Sequence, residues 1–138
     1  MRQIIKNFAK PSPLRKTVRI AVIESDPLRF VGFRELLSSQ PDFDLRSVSF
    51  SEIGTYEGAD VVLIGSHPGK SVIEILGIVK ALRSGLDVIV TGCNLDDAAI
   101  LKAVAAGAKG CVEESASSGE LAQAIRMVLA GSVRALVS

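Results

Sequence analysis

The chain has 138 residues, room for one core and no second, with 48% hydrophobic and 22% charged residues and a net charge of +1. Aromatic residues are 4% of the total, too few for a base-stacking surface on single-stranded nucleic acid. The two cysteines, Cys93 and Cys111, form no CxxC pair and have no histidine cluster beside them, which argues against a zinc site or disulfide framework and suits core thiols in a reducing, cytoplasmic setting.

Residues 1–16 carry Arg2, Lys6, Lys10, Arg15 and Lys16 and no acid, so a net +1 leaves −4 on the remainder. Pro11 and Pro13 break any helix that Ile4, Ile5 and Phe8 would start. The segment reads as a basic flexible arm. No apolar core follows its charges, so it is not a secretory signal, and no run approaches the roughly 20 residues of a membrane span.

Val18 to Ile23 is a β-branched run that predicts a first strand, leading through Glu24-Ser25-Asp26-Pro27 into a helix. Asp26 suits its N-cap and Pro27 its first position. Phe30, Phe33, Leu36 and Leu37 recur at helical spacing up to Pro41. Phe43 to Phe50 alternates imperfectly, as an edge strand would, and a weak helix or loop follows over 52–58. Ala59-Asp60 leads into Val61 to Ile64, a continuous apolar run, the signature of a central parallel strand covered on both faces. It ends at Gly65, and a polar loop, Ser66 to Ser71, precedes a helix marked by Val72, Ile75, Leu76, Val79 and Leu82. Leu86 to Thr91 is a further strand, Ala98 to Ala106 an alanine-rich helix, and Lys109 to Val112 a last short strand. Ser117 and Glu120 have capping-box spacing ahead of a helix whose stripe is Leu121, Ala124, Ile125, Val128 and Leu129, ending at Gly131.

Five strands alternating with about five helices predict an α/β fold, a flavodoxin-like doubly wound parallel sheet of order 2-1-3-4-5 with helices on both faces. The expected organisation is an arm over 1–16, one domain over 17–131 and a tail over 132–138. Chemistry in such sheets collects beyond the carboxyl ends of the strands.

Gly107-Ala108-Lys109-Gly110-Cys111-Val112-Glu113-Glu114-Ser115-Ala116-Ser117, followed by Glu120-Leu121, Ala124-Ile125 and Val128-Leu129-Ala130-Gly131, resembles the last third of receiver domains of two-component response regulators, the LuxR/NarL type in particular. Ile23-Glu24-Ser25-Asp26-Pro27-Leu28-Arg29 is similar to that family's acidic first loop, and Asp60 to Ile64 to its third strand. The resemblance spans about residues 17–131. It implies phosphoryl transfer from a histidine kinase to an aspartate ending the third strand, with an acidic pair holding Mg²⁺, a Thr or Ser after the fourth strand and a Lys after the fifth. Such chemistry needs a carboxylate nucleophile, a divalent ion and fixed donors.

Carried onto this sequence, that site is degenerate. Gly65 stands at the acceptor position and offers no nucleophile. Glu24 and Ser25 stand at the acidic pair, with Asp26 one residue late. Thr91 matches. Glu114 stands at the lysine position and Cys111 at the aromatic switch position. A carboxylate about 4 Å from a phosphoryl charge repels it by ~4 kcal/mol at an effective dielectric of ~20, where lysine would attract. Glu24 and Glu114 lack a third ligand, so no metal site and no cofactor is expected.

The loop Gly65-Ser66-His67-Pro68-Gly69-Lys70-Ser71 also looks like a phosphate-binding loop. The nucleotide-binding form needs four residues between its glycines and this loop has three, so anion binding through Gly69, Lys70 and Ser71 at the helix start is the more economical alternative. His67, the one histidine, has no partners for a metal site or triad, and Cys93 no basic neighbour to lower its pKa.

The expectation is therefore a non-enzymatic pseudo-receiver that acts by phosphorylation-independent contact with a protein partner or a second copy, using helix faces near the last two strands. A link to transcription comes only by resemblance, since DNA would be reached through an effector domain not present in this chain. Residual phosphorylation on a substitute acid is the other alternative.

Overall fold

The computed structural model describes residues 17–92, 96–113 and 115–131, and the backbone of 134–137. Strand β1 (Val18–Ile23) runs into helix α1 (Pro27–Leu36), then β2 (Phe43–Ser47), β3 (Val61–Ile64), α2 (Val72–Leu82), β4 (Val88–Gly92), α3 (Asp97–Ala105), β5 (Gly110–Glu113), α4 (Ser118–Leu129) and β6 (Arg134–Val137). The sheet is parallel throughout, in the order β2-β1-β3-β4-β5-β6.

The expected order 2-1-3-4-5 is present, with one addition. Residues 134–137, read from sequence as part of a tail, pair with β5 as a sixth strand. Gly131, at φ +91°, ends α4 in a conformation that L side chains rarely adopt, and the chain then returns to the sheet. The apolar run Ala135 to Val137 is too short for periodicity to identify. The weak helix considered for 52–58 is a set of turns and loop. Arg83 Nη1 holds it by donating to the Tyr56 carbonyl at 2.7 Å, and Ile53 is fully buried beneath it.

Alternation along each strand divides the core between two faces. Ala21, Ile23, Val62, Ile64, Val88 and Val90 meet Ile75, Leu76 and Val79 of α2 and Ile100 and Ala103 of α3. Ile20, Val22, Val61, Leu63 and Ile89 meet Phe33 and Leu37 near α1 and Leu121, Ala124, Ile125 and Val128 of α4. Strand β3 and Val88 to Val90 of β4 are buried on both sides, which is why they are apolar without interruption.

The caps follow their residue types. Asp26 accepts from the Leu28 N–H at 2.9 Å with Pro27 opening α1, and Ser117 with Glu120 closes the capping box of α4. Register then fixes the edge where ligands collect. Ile23 pairs with Ile64 and Ile64 with Val90, so the next residues along, Glu24, Gly65 and Thr91, emerge together at the carboxyl ends of β1, β3 and β4.

Candidate functional site

Glu24 directly follows β1 with its side chain 0% exposed, an unusual position for a carboxylate unless it is paired. Its pairing is complete. Oε1 accepts from the Ser66 N–H at 2.9 Å and from Arg29 Nε at 3.0 Å, and Oε2 accepts from the Ser66 hydroxyl at 2.6 Å and the Asp26 N–H at 2.9 Å. Local sequence makes this possible. Pro27 starts α1 so that Arg29 lies in its first turn above Glu24, and the β1–β3 register sets Ser66 across from Glu24 and Ser25. Backbone bonds tie the two chain segments together, Gly65 N–H to the Ile23 carbonyl at 2.8 Å and Ser25 N–H to the Ser66 carbonyl at 3.2 Å.

The carboxylate lies in the space of the side chain that Gly65 lacks. A Cβ built on Gly65 would overlap Glu24 Oε1, and would stand 3.0 Å from Glu24 Cδ and 3.3 Å from Phe33 Cε2. Glycine is therefore the residue that this arrangement accepts. Burial pushes the Glu24 carboxyl up, and the hydrogen bonds from Ser66, Asp26 and Arg29 outweigh it, holding it below its ordinary value. It stays charged.

The remaining expected positions are engaged elsewhere. Ser25 Oγ donates to the Ser66 carbonyl at 3.1 Å, and Asp26 caps α1. Thr91 is buried, and its hydroxyl donates to the Ile64 carbonyl at 3.0 Å, tying β4 to β3. Cys111 is fully enclosed among the core residues on the α2 and α3 face, where burial raises its thiol pKa. A small enclosed thiol has no inward and outward positions to exchange as a switching aromatic would. Glu114 and Cys93 lie outside the described residues.

The loop after Gly65 is folded on itself. His67 Nδ1 accepts from the Gly69 N–H at 3.1 Å and its ring meets Phe50 edge-on at 5.3 Å, while Lys70 Nζ stands 5.6 Å from the Phe50 ring centre. Ser71 accepts from the Glu74 N–H at 3.1 Å and donates its own N–H to Glu74 at 2.8 Å. That capping box places a carboxylate at the start of α2, where an anion would bind, and weighs against the anion reading of Gly69, Lys70 and Ser71. Its signal, Ser71 followed by Glu74 ahead of an apolar run, is in the sequence. Arg29 and Ser66, the partners of Glu24, carry no such signal.

Mg²⁺, which the resemblance implies, does not fit these residues. Both Glu24 oxygens are taken by donors, and the Arg29 guanidinium stands 3.0 Å from Oε1, where a cation would sit. Among the described residues no three His, Cys, Asp or Glu side chains are placed to share a metal ion.

Comparison with solved structures gives the wider context. A LuxR-family two-component response regulator from Aurantimonas sp. SI85-9A1 superimposes with a TM-score of 0.78 at 26% identity, over 86% of this chain and 89% of that one. The fold is that of a response-regulator receiver domain. A LuxR-family DNA-binding response regulator from Silicibacter pomeroyi agrees at a TM-score of 0.71 and 19% identity, over 85% of this chain and 95% of that one. The RcsB response regulator of Salmonella typhimurium gives 0.74 at 16%, over 86% of this chain and 62% of that one. No family model matches the chain, and no curated protein does. No helix among the described residues is long and apolar enough to cross a membrane.

Proposed function

We propose that this receiver domain is a pseudo-receiver, a non-enzymatic regulatory module that signals by phosphorylation-independent contact with a protein partner or a second copy of itself, in transcription control. One observation carries the reading: the Glu24 carboxylate fills the space of an acceptor side chain at Gly65 and has both oxygens saturated by donors. A carboxylate with four hydrogen bonds and an arginine beside it is a poor nucleophile, because each bond stabilises the charge that attack would have to spend. Arg29 supplies from within the chain the positive charge that a metal would bring, so the active-edge electrostatics are already balanced without phosphate or ion.

The link to transcription is by analogy with the DNA-binding response regulator above, through whatever effector the output reaches. Light scattering on a size-exclusion column, run across a range of concentrations with and without acetyl phosphate and Mg²⁺, tests the reading. The expected result is an assembly state set by concentration alone. A shift on adding acetyl phosphate with Mg²⁺ would return the domain to the phosphate-driven class.

A further inference from the structure

A cavity of about 230 Å³ opens between α1 and α4 at the carboxyl edge of the sheet, bordered by Arg29, the partner of Glu24. Its walls are Gly32, Phe33 and Leu36 of α1, Val112 of β5, and Ala116 and Leu121 beside and within α4. We propose that it binds a small, uncharged aromatic molecule carrying one N–H or O–H donor, roughly the size of indole.

Size and lining set the class. An apolar cavity of about 150 Å³ holds a benzene ring, so this one holds a larger ring and falls short of the usual drug-sized pocket. Gly32 sits inside a helix, where glycine is a destabilising choice, and a Cβ there meets no atom within 4 Å. Alanine or a larger side chain would fit the backbone, and glycine keeps the mouth open.

Polarity narrows the class further. Thr91 lines the cavity, and its single hydroxyl hydrogen is given to the Ile64 carbonyl, so its remaining capacity is as an acceptor. A donor on the ligand matches it. Arg29 and Glu113 put opposite charges on the same lining, so a ligand of either sign would face a like charge as well as an opposite one. An uncharged ring avoids that conflict. Binding here does not depend on whether aspartyl phosphorylation has been lost.

The chain contains no tryptophan, so added indole can be followed by its own fluorescence. Titrating indole against the full chain is expected to give a saturable blue shift, with affinity reduced about tenfold or more by Gly32→Leu from one wall or Ala116→Leu from the other. Indole-3-acetate and tryptamine, which carry opposite charges, are expected to bind about tenfold more weakly than indole. Circular dichroism identifies which wall variants are folded, and either one suffices for the comparison. No saturable shift with the unaltered protein, undiminished binding in a folded wall variant, or a charged analogue binding as tightly as indole would overturn the proposal.

Discussion

Gly65 and Glu24 are complementary in volume: one lacks a side chain where the other places its carboxylate. The two stand on neighbouring strands one residue beyond a register pair, Ile23 with Ile64, so neither can change without the other responding. The first acid beyond β1 has taken the room that a side chain at position 65 would need.

That complementarity predicts a strong non-additivity. Gly65→Ala forces its Cβ onto Glu24 and is expected to destabilise the domain by about 2 kcal/mol, as overpacking does. Glu24→Ala alone is expected to cost about 3 kcal/mol, since it removes the acceptor of the Ser66 and Asp26 N–H groups and of the Ser66 hydroxyl. The double variant should be less damaged than the sum by about 1 kcal/mol or more, measured by urea unfolding. Additive losses would mean that the two positions do not share space.

Arg29 is the charged partner of a fully buried carboxylate, with its own side chain 28% exposed. Arg29→Ala is expected to destabilise by about 2 kcal/mol, and Arg29→Lys by less, because a point charge replaces Nε of a planar fork. Guanidinium-free thermal or urea melts check the order, Ala worse than Lys. Equal, negligible losses would show that Ser66 and Asp26 alone hold the carboxylate.

The depressed pKa of Glu24 has a pH consequence of definite sign. Its unfolded carboxyl titrates near about 4.3, so the unfolded chain binds the proton first as pH falls. Its contribution to stability is present above that value and is lost as pH drops through the lower folded pKa. Asp42, held below its ordinary value by Arg126, acts in the same direction. Glu24→Gln should therefore flatten part of the acid limb of a plot of urea midpoint against pH, leaving the shares of Asp42 and of the lowered carboxyls Glu52 and Glu74. An unchanged acid limb would contradict the pairing of Glu24.

Thr91 is a strand tie in this structure. Thr91→Val keeps its shape and removes the bond to the Ile64 carbonyl, so a loss of about 1 kcal/mol is expected in unfolding experiments. Oligomeric state should not change. A change in assembly without a change in stability would assign the hydroxyl a signalling role instead.

Much of the fold can be read in the chain because its central strands are buried on both faces and therefore carry apolar runs, unbroken in Val61 to Ile64. Capping residues do the same for helix starts, with Asp26 and Ser117 placed as their chemistry demands. The sixth strand is not legible, since Arg134 to Val137 is four residues long and has meaning only through β5. The missing side chain at Gly65 is plain in the sequence, but what fills its place is not. That depends on the register of β1 against β3 and on the first turn of α1, which together bring Ser66 and Arg29 to Glu24 from 42 and five residues away. The Ser71 capping box shows the opposite case, a local signal hidden by a stronger resemblance to a phosphate loop.

Intact mass after incubation with acetyl phosphate and Mg²⁺ tests the central claim most directly. An edge already filled by Glu24 predicts a mass identical to that of the untreated chain. A stoichiometric gain of one phosphoryl group, lost in Glu24→Gln, would make that carboxylate the acceptor and contradict the account.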